Sequence, residues 1–203
     1  MLAMNGGEKI LLNVGCGPRG SSQTPAMFSD WRQVRVDIDP TVGPDIVADL
    51  TNLAPIGTGA VDALWTAHCL EHLYEHEVAT ALGEIRRVLK DDGFACIVVP
   101  DLQTIASYIA QDKMHDPLYE SPAGPITPHD IVYGHGPAIA RGRLTMAHRC
   151  GFTPTSMIRS LVAAGYGGYS LLRRPGFELA AVVRRNDWSD LRERDDLLMK
   201  LGL

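Results

Sequence analysis

The amino-acid sequence predicts an α/β fold built on a mostly parallel β-sheet. Two observations carry this prediction: short runs rich in Ile, Val and Leu recur along the chain, and stretches with helical spacing lie between them. Parallel strands are buried on both faces, so their sequences are continuously apolar. The chain has 203 residues, 45% of them hydrophobic and 21% charged, which predicts one domain over residues 1–203 with a substantial core.

Five apolar runs are predicted as parallel strands. They cover residues 9–14, 34–38, 45–48, 63–66 and 94–99. Between the fourth and fifth runs, Val78, Leu82, Ile85 and Val88 recur at helical spacing through Leu89. Basic residues follow near the carboxyl end and Gly93 lies beyond, so a helix is predicted between these two strands.

The carboxyl-terminal third predicts a helix followed by a hairpin. Thr153 is a candidate N-cap and Pro154 suits the first turn of the helix. The strand-like runs YSLLRR and FELAAVVRR are separated only by Pro175 and Gly176. Because a parallel crossover needs a dozen or more residues, these two runs must form an antiparallel hairpin. The charged tail at 187–203 has leucines at helical spacing and predicts a helix packed on its own domain, with a dimer contact as the alternative.

Two segments lack a regular pattern. Residues 17–33 leave little space for a helix between the first two strands. Residues 113–150 are rich in Pro, Gly and His, and such a long irregular run is typical of a lid, a binding loop or disorder. Its aromatic and aliphatic content favours a lid.

Composition limits the partners and the location. The net charge of -5 argues against nucleic acid as the main partner and favours a small-molecule ligand. No apolar run approaches the about 20 residues that cross a bilayer, and residues 1–8 lack the pattern of a secretory signal, so no membrane association and a cytoplasmic location are expected. Reduced thiols are expected for the four dispersed cysteines, Cys16, Cys69, Cys96 and Cys150.

A glycine-rich corner follows the first predicted strand in the stretch LLNVGCGPRGSS. Gly15, Gly17 and Gly20 spell G-x-G-x-x-G, and glycines let the backbone approach a ligand closely. This pattern alone is weak evidence, and a bare packing turn is the alternative. Pro18 removes one amide donor and the following residues resemble a loop, which disfavours pyrophosphate binding.

Asp37 ends the second predicted strand, about twenty residues after the corner. A carboxylate at this position can accept both hydroxyls of a ribose, as required by NAD and by S-adenosylmethionine alike. Asp39, which precedes Pro40, is better suited to capping a local turn. We therefore predict that Asp37 binds ribose.

Five motifs follow one another as they do in class I S-adenosylmethionine-dependent methyltransferases. They are LLNVGCGPRG, VRVDIDP, DIVADLTNL, VDALWTAHCLEHL and EIRRVLKDDGFACIVVPDL. The sequence resembles especially the small bacterial LEHL…RVLKPGG group (type 11-like), closely over about residues 9–101 and more loosely over 152–184. The resemblance implies a Rossmann-like, mostly parallel seven-stranded sheet with helices on both faces and an antiparallel strand in the C-terminal hairpin.

The same resemblance implies the residues that bind S-adenosylmethionine. The corner would lie under the methionine part, Asp37 at the ribose, Asp49 and Leu50 at the adenine, and Ala67 with His68 beside the reacting methyl. The full predicted set is Asn13, Gly15, Cys16, Gly17, Asp37, Ile38, Asp49, Leu50, Ala67 and His68. Two positions depart from the family pattern: Asn13 replaces a common acidic residue, which weakens one polar contact, and Asp91-Asp92-Gly93 replaces Pro-Gly-Gly.

Four residues are candidates for catalysis: His68, His72, Asp101 and His148. His68, His72 and His76 have the i, i+4, i+8 spacing of a zinc-binding ladder, but the resemblance places only the start of a helix there, so no metal is expected. Asp101 follows the fifth strand and either faces a ligand or caps the next helix. His135 and Tyr133 are weaker candidates in the predicted lid.

The resemblance implies transfer of the S-adenosylmethionine methyl group to a small-molecule or glycan-like acceptor by in-line attack, with S-adenosylhomocysteine as the product. Two alternatives stay open at this point. One is a cofactor-binding protein without catalysis, which the Asn13 departure permits, and the other is a nicotinamide-dependent oxidoreductase, supported only by G-x-G-x-x-G. A homodimer through the lid or the C-terminal helix is a further expectation.

Overall fold

The computed structural model of the chain describes residues 7–20 and 24–203. Residues 1–6 lie outside this part; they make up most of the segment that is predicted to lack a secretory signal. Residues 21–23, after the glycine corner, lie outside it as well. In the described residues, one sheet contains seven strands in the order β3-β2-β1-β4-β5-β9-β8. The strands are β1 (Ile10–Val14), β2 (Arg32–Asp37), β3 (Ile46–Val47), β4 (Val61–Ala67), β5 (Leu89–Pro100), β8 (Gly168–Arg174) and β9 (Glu178–Arg184).

The topology confirms the predicted mixed sheet. Strands β1 to β5 pair in parallel, whereas β9 runs antiparallel to both of its neighbours, β5 and β8. The chain leaves β1 toward β2 and β3 on one side and returns to β4 and β5 on the other. In such a sheet the carboxyl ends of β1 and β4 form a topological switch point, where ligands bind.

Helices cover both faces of the sheet, as the sequence predicts. Helices α1 (Glu75–Val88) and α5 (Pro154–Ala163) pack on one face, where Leu82 and Met157 are fully buried. The other face is covered by α6 (Leu191–Leu201) and by a 3-10 turn at Ala26–Phe28. That turn is the only helical element between β1 and β2 in the described residues, because the short connection leaves no room for a longer helix. No described helix has both the length and the apolar character that crossing a bilayer requires.

Local sequence accounts for several helix boundaries. The side chain of Thr153 accepts a hydrogen bond from the backbone of Ser156, and Pro154 occupies the first turn of α5, as predicted. Leu89, which continues the helical spacing, lies outside α1, and the next strand begins five residues before its predicted start. Leu89 adopts an extended conformation and pairs with Val61, so β5 begins directly after the helix.

Residues 113–150 are more regular than the sequence predicts. They contain a hairpin of β6 (Tyr119–Ser121) and β7 (Gly124–Ile126), followed by α3 (Pro128–Tyr133), α4 (Gly136–Ala140) and a 3-10 turn at Leu144–Met146. The helix α2 (Leu102–Ile109) precedes them. The short helices follow local signals, since Thr127 and Asp130 form a reciprocal capping box and Pro128 occupies the first turn of α3. Whether this segment acts as a lid stays a prediction.

Candidate functional site

The main cavity has a volume of about 660 Å³ and opens at the carboxyl ends of β1, β2 and β4. Its size is typical of a small-molecule site. It brings together ten of the predicted residues, namely Gly15, Gly17, Asp37, Ile38, Asp49, Leu50, Ala67, His68, His72 and His148. A side cavity of about 540 Å³ is lined by Asn13 and Cys16 and shares Gly15, Gly17, Ala67 and His68 with the main cavity.

The glycine corner is held against the end of β2. The backbone N–H groups of Gly15 and Cys16 both donate to the carbonyl of Val36, at 2.9 and 3.2 Å. Gly15 has a φ of +71°, and a Cβ atom there would lie 1.9 Å from Sγ of Cys69. Only glycine fits this position. Cys69, like the other three cysteines, is a free thiol, and burial raises its pKa to about 12, so it is not a nucleophile at neutral pH.

The carboxylate of Asp37 lies at the corner. Its Oδ2 accepts a hydrogen bond from the backbone of Gly17 at 2.8 Å, and its Oδ1 accepts one from the backbone of Asp39 at 3.0 Å. The Asp39 side chain caps the turn at Thr41, which is the local role that the sequence predicts for it. Asp37 therefore joins the end of β2 to the glycine corner at the wall of the main cavity.

Arg35 supports the corner from below and was missed by sequence reasoning. This residue is buried in the middle of β2, and its guanidinium donates to the backbone carbonyls of Gly17 and Gly43. It thus connects the loop after β1 with the loop after β2. A single arginine inside an apolar strand carries no sequence signal for this function, because both partners come from separate loops.

Three further predicted cofactor residues line the same wall. Ile38 is 54% exposed although it is apolar, whereas Leu50 is buried. Asp49 lies two residues after β3, and its Oδ1 accepts hydrogen bonds from the backbone and hydroxyl of Thr51, both at 2.8 Å. The structure brings these residues together around one space, and their binding of a cofactor stays a prediction.

His68 directly follows β4 and has a left-handed backbone conformation, with a φ of +54°. Such a conformation is uncommon for a residue with a side chain, and it turns the ring into the cavity region. Nδ1 lies 3.2 Å from Oε1 of Glu71 and Nε2 lies 2.9 Å from Oε1 of Glu178. Burial lowers the pKa of His68, but these two carboxylates outweigh it and raise the pKa to about 10. A doubly protonated ring has no lone pair, so this geometry argues against His68 as a general base.

His72 and His148 meet at the far side of the main cavity. Their rings lie edge to face, with centroids 4.8 Å apart. His72 belongs to a 3-10 turn at Leu70–His72, where the sequence predicts the start of a helix. Leu73 is extended, so this turn is separate from α1. His76 lies on α1 and stacks on Tyr74 instead. The spacing of His68, His72 and His76 therefore does not produce a histidine ladder, because no continuous helix carries all three.

Asp101 is a structural residue rather than a group aimed at the cavity. Its carboxylate caps α2 through the backbone of Gln103 and Thr104 and forms an ion pair with Nε of Arg173 at 2.8 Å. Burial raises its pKa, but the bonds from Thr104 and Arg173 outweigh burial and the net shift is downward. Asp101 lines neither cavity, so the alternative interpretation of it as a helix cap describes the structure better than the catalytic one.

The far end of the main cavity is formed by residues 113–150 and by the turn between β8 and β9. Tyr119 and Phe177 stack with ring centroids 6.3 Å apart, and His135 lines the wall beside them. Tyr133 is exposed and is not among the lining residues. Tyr119 and Phe177 were missed by sequence reasoning, since each lies on a hairpin whose position depends on tertiary packing.

Comparisons with known proteins agree with this geometry. Residues 12–97 match a family model described as a methyltransferase domain. The matched residues run from β1 into β5 and include the corner, Asp37 and the end of β4. This part of the chain is therefore similar to a methyltransferase domain, as the five motifs imply. The comparison with curated proteins finds no matching relative.

Solved structures share the fold of this chain. A Pyrococcus horikoshii protein is 15% identical, with 87% of this chain and 83% of that chain covered and a TM-score of 0.56. A SAM-dependent methyltransferase from Methanosarcina mazei is 13% identical, with coverages of 89% and 94% and a TM-score of 0.56. The Burkholderia thailandensis 1,6-didemethyltoxoflavin-N1-methyltransferase, crystallised with 1,6-didemethyltoxoflavin and S-adenosylhomocysteine, is 20% identical, with coverages of 89% and 72% and a TM-score of 0.52. At these identities the likeness establishes the fold.

Proposed function

We propose that the protein binds S-adenosylmethionine where the two cavities meet and transfers its methyl group to a small-molecule acceptor at the far end of the main cavity. One observation supports this assignment above the others. The glycine corner and the Asp37 carboxylate lie together at the switch point of the sheet, and the main cavity continues from them to residues 113–150. The cofactor and the acceptor thus have adjoining spaces.

The adenosine part fits the wall formed by the ends of β2 and β3. A carboxylate offers about four acceptor positions, so Asp37 can bind ribose hydroxyls while it keeps its bond to Gly17. The exposed apolar side chain of Ile38 offers an adenine ring the apolar contact that it needs, and the buried Leu50 lines the cavity with it. In this proposal Asp49 lies at the edge of the ring.

The methionine part fits the side cavity. Its lining includes Asn13, Arg174 and Glu178, which offer a neutral polar group, a positive charge and a negative charge, respectively. Arg174 and Glu178 are paired at 3.4 Å between Nη1 and Oε2. A methionine tail carries one carboxylate and one ammonium group, and such a pair complements both charges. Asn13 supplies a neutral polar contact at the position where the resembled family pattern commonly has an acidic residue.

Methyl transfer from a sulfonium depends more on the positioning of the acceptor than on a reactive side chain. The sulfonium already activates the methyl group, so the protein has to hold the acceptor atom in line with it and exclude water. Ala67 and His68 lie where the two cavities meet, beside the proposed position of the methyl group. The aromatic pair of Tyr119 and Phe177 offers a planar or sugar-like acceptor a stacking surface.

Calorimetric titration with S-adenosylhomocysteine tests the cofactor assignment. Asp37→Ala removes the ribose acceptor, and each hydrogen bond to a charged group contributes about 1.5–3 kcal/mol, so affinity is expected to fall at least about tenfold. Asp62→Ala is a matched control, because Asp62 also accepts a backbone N–H, that of Ile10, but at the opposite end of the sheet. Equal affinities for the two variants would refute the assignment of Asp37.

Methyl transfer itself needs a separate measurement. A radiolabelled methyl donor offered with a panel of hydroxylated aromatic and sugar-like small molecules should label at least one class of acceptor. Binding of S-adenosylhomocysteine without labelling of any acceptor would instead support the cofactor-binding protein without catalysis. The nicotinamide alternative predicts binding of NAD, which the same calorimetric assay measures.

A further inference from the structure

Three side chains of metal-ligand type converge beside the main cavity. Glu71, His72 and His148 each offer a ligand atom, and these atoms all lie within 4.8 Å of one another. Glu71 and His72 come from the 3-10 turn after β4, whereas His148 follows the 3-10 turn at Leu144–Met146. The backbone N–H groups of Arg149 and Cys150 donate to the carbonyl of Glu71, at 2.7 and 3.2 Å, and hold the two segments together.

The hydrogen bonds of the two histidines orient one nitrogen of each ring for coordination. Nδ1 of His72 lies 3.1 Å from the carbonyl of Ala147, and Nδ1 of His148 lies 2.8 Å from the carbonyl of Ile131. A carbonyl oxygen only accepts, so each Nδ1 must carry the proton and each Nε2 keeps its lone pair. Metal-binding histidines usually show this arrangement, with the other ring nitrogen donating to a carbonyl or carboxylate.

Glu71 supplies a carboxylate of which one oxygen accepts a hydrogen bond and the other, within the described residues, does not. The residue is 1% exposed, and its Oε1 accepts a bond from His68. Its Oε2 is buried, and nothing in the described part of the chain donates a hydrogen bond to it. A buried carboxylate oxygen without a partner is costly, and a bound cation would satisfy it. His68 in turn holds Oε1, so the free oxygen has a defined orientation.

We propose that Glu71, His72 and His148 bind one divalent transition-metal ion of the Zn²⁺ class. Two imidazoles and one carboxylate form a donor set that suits such ions, and three protein ligands leave one position open. With metal–ligand distances of about 2.0–2.2 Å, tetrahedral ligand atoms are about 3.4 Å apart, so the largest separation between two ligand atoms has to shorten by about 1.4 Å at most. This set differs from the ladder suggested by the sequence, because only His72 is common to both.

The open position faces the proposed acceptor end. The side chains of His72 and His148 line the main cavity, whereas Glu71 lies behind them. An oxygen atom of a ligand in the cavity can therefore complete the coordination shell. A metal ion lowers the pKa of a bound hydroxyl group, which would favour hydroxylated acceptors. This last step rests on the proposed function, whereas the binding of the metal ion does not.

Metal titration of the purified protein, first stripped with a chelator, tests the proposal. Co²⁺ followed by its visible absorption and Zn²⁺ followed by calorimetry should each bind with a stoichiometry of one and with micromolar affinity or better. His148→Gln and Glu71→Gln should each lower the affinity at least about tenfold. His129→Gln is the matched control, since His129 and His115 form the other close pair of histidine rings in the described residues. This variant should bind like the wild type.

The outcomes separate this proposal from the proposed function. Wild-type affinity weaker than millimolar, or equal affinity in His148→Gln and the wild type, would overturn the metal site. If circular dichroism shows that a variant does not fold, the wild type still provides a test. Zn²⁺ must shift the side-chain ¹⁵N resonances of His72 and His148 but leave those of His129 in place. The opposite pattern refutes the site. S-adenosylhomocysteine titrated into the metal-free protein tests the cofactor assignment independently.

Discussion

Replacing Gly15 by alanine is expected to lower the free energy of unfolding by about 2–5 kcal/mol. The first contribution is conformational, because the φ of +71° lies in the left-handed region, which costs a residue with a Cβ roughly 1–2 kcal/mol. The second is steric. The new Cβ would lie 1.9 Å from Sγ of Cys69, well inside an ordinary contact of about 3.5–4.0 Å, and overpacking of this kind typically costs about 1–3 kcal/mol.

Gly43→Ala separates the two contributions. Gly43 has a similar φ of +64°, but no atom lies within 4 Å of the position of its Cβ. Its replacement should therefore show the conformational cost of roughly 1–2 kcal/mol alone. The difference between the two glycine variants measures the contact of the corner with Cys69.

A double-mutant cycle with Cys69→Ala completes the test. Removing Sγ leaves only Cβ of residue 69 near the new methyl group, at 3.6 Å, which is an ordinary contact. The cost of Gly15→Ala should then fall toward that of Gly43→Ala, and the cycle should show a coupling of about 1–3 kcal/mol. Urea unfolding followed by tryptophan fluorescence gives each free energy. A Gly15→Ala cost equal to that of Gly43→Ala, or one that Cys69→Ala does not change, would refute the reasoning.

Three further outcomes are expected. Tyr166→Phe should destabilise the fold by about 0.5–1.5 kcal/mol in urea unfolding, because the buried hydroxyl donates to the carbonyl of Leu82 at 2.9 Å; no loss would contradict this. Hydrogen bonds from Arg87 lower the pKa of Glu84, so the stability that they contribute is present above the unfolded pKa of about 4.3 and is lost as the pH falls through the lowered folded value. The stability difference between wild type and Glu84→Gln should therefore shrink as urea unfolding is repeated from pH 7 toward pH 3, and a constant difference would exclude this linkage. Limited trypsin digestion should cut within residues 113–150 more slowly when S-adenosylhomocysteine is present, whereas equal rates would count against a lid.

The predictable parts of the fold are those with local signals. Residues of β1 are all buried and were recognised as an apolar run, and the short link at Pro175 and Gly176 required the antiparallel hairpin. The boundary at Leu89 was missed because its side chain continues the helical spacing of α1, while its pairing with Val61 is set by a distant strand. Helical periodicity in a sequence does not reveal the residue at which pairing with a neighbouring strand ends the helix.

The site was predictable to a similar degree. Motif order placed the corner and Asp37 at one wall, and the structure brings them together. The partners of Asp101 were not predictable, since Arg173 approaches it from the C-terminal hairpin. Nor did any pattern in residues 113–150 indicate that Tyr119 would face Phe177. Each of these contacts joins segments that are far apart in the chain.

The sequence by itself determined the α/β class, the parallel strands, the hairpin and the resemblance to methyltransferases, because apolar periodicity, turn residues and ordered motifs act over short stretches of chain. The tertiary structure alone decided which side chains face one another. It left Oε2 of Glu71 buried beside two oriented imidazoles, and it placed Arg35 beneath the glycine corner. Packing sets these distances through contacts between remote segments, and no local pattern records them.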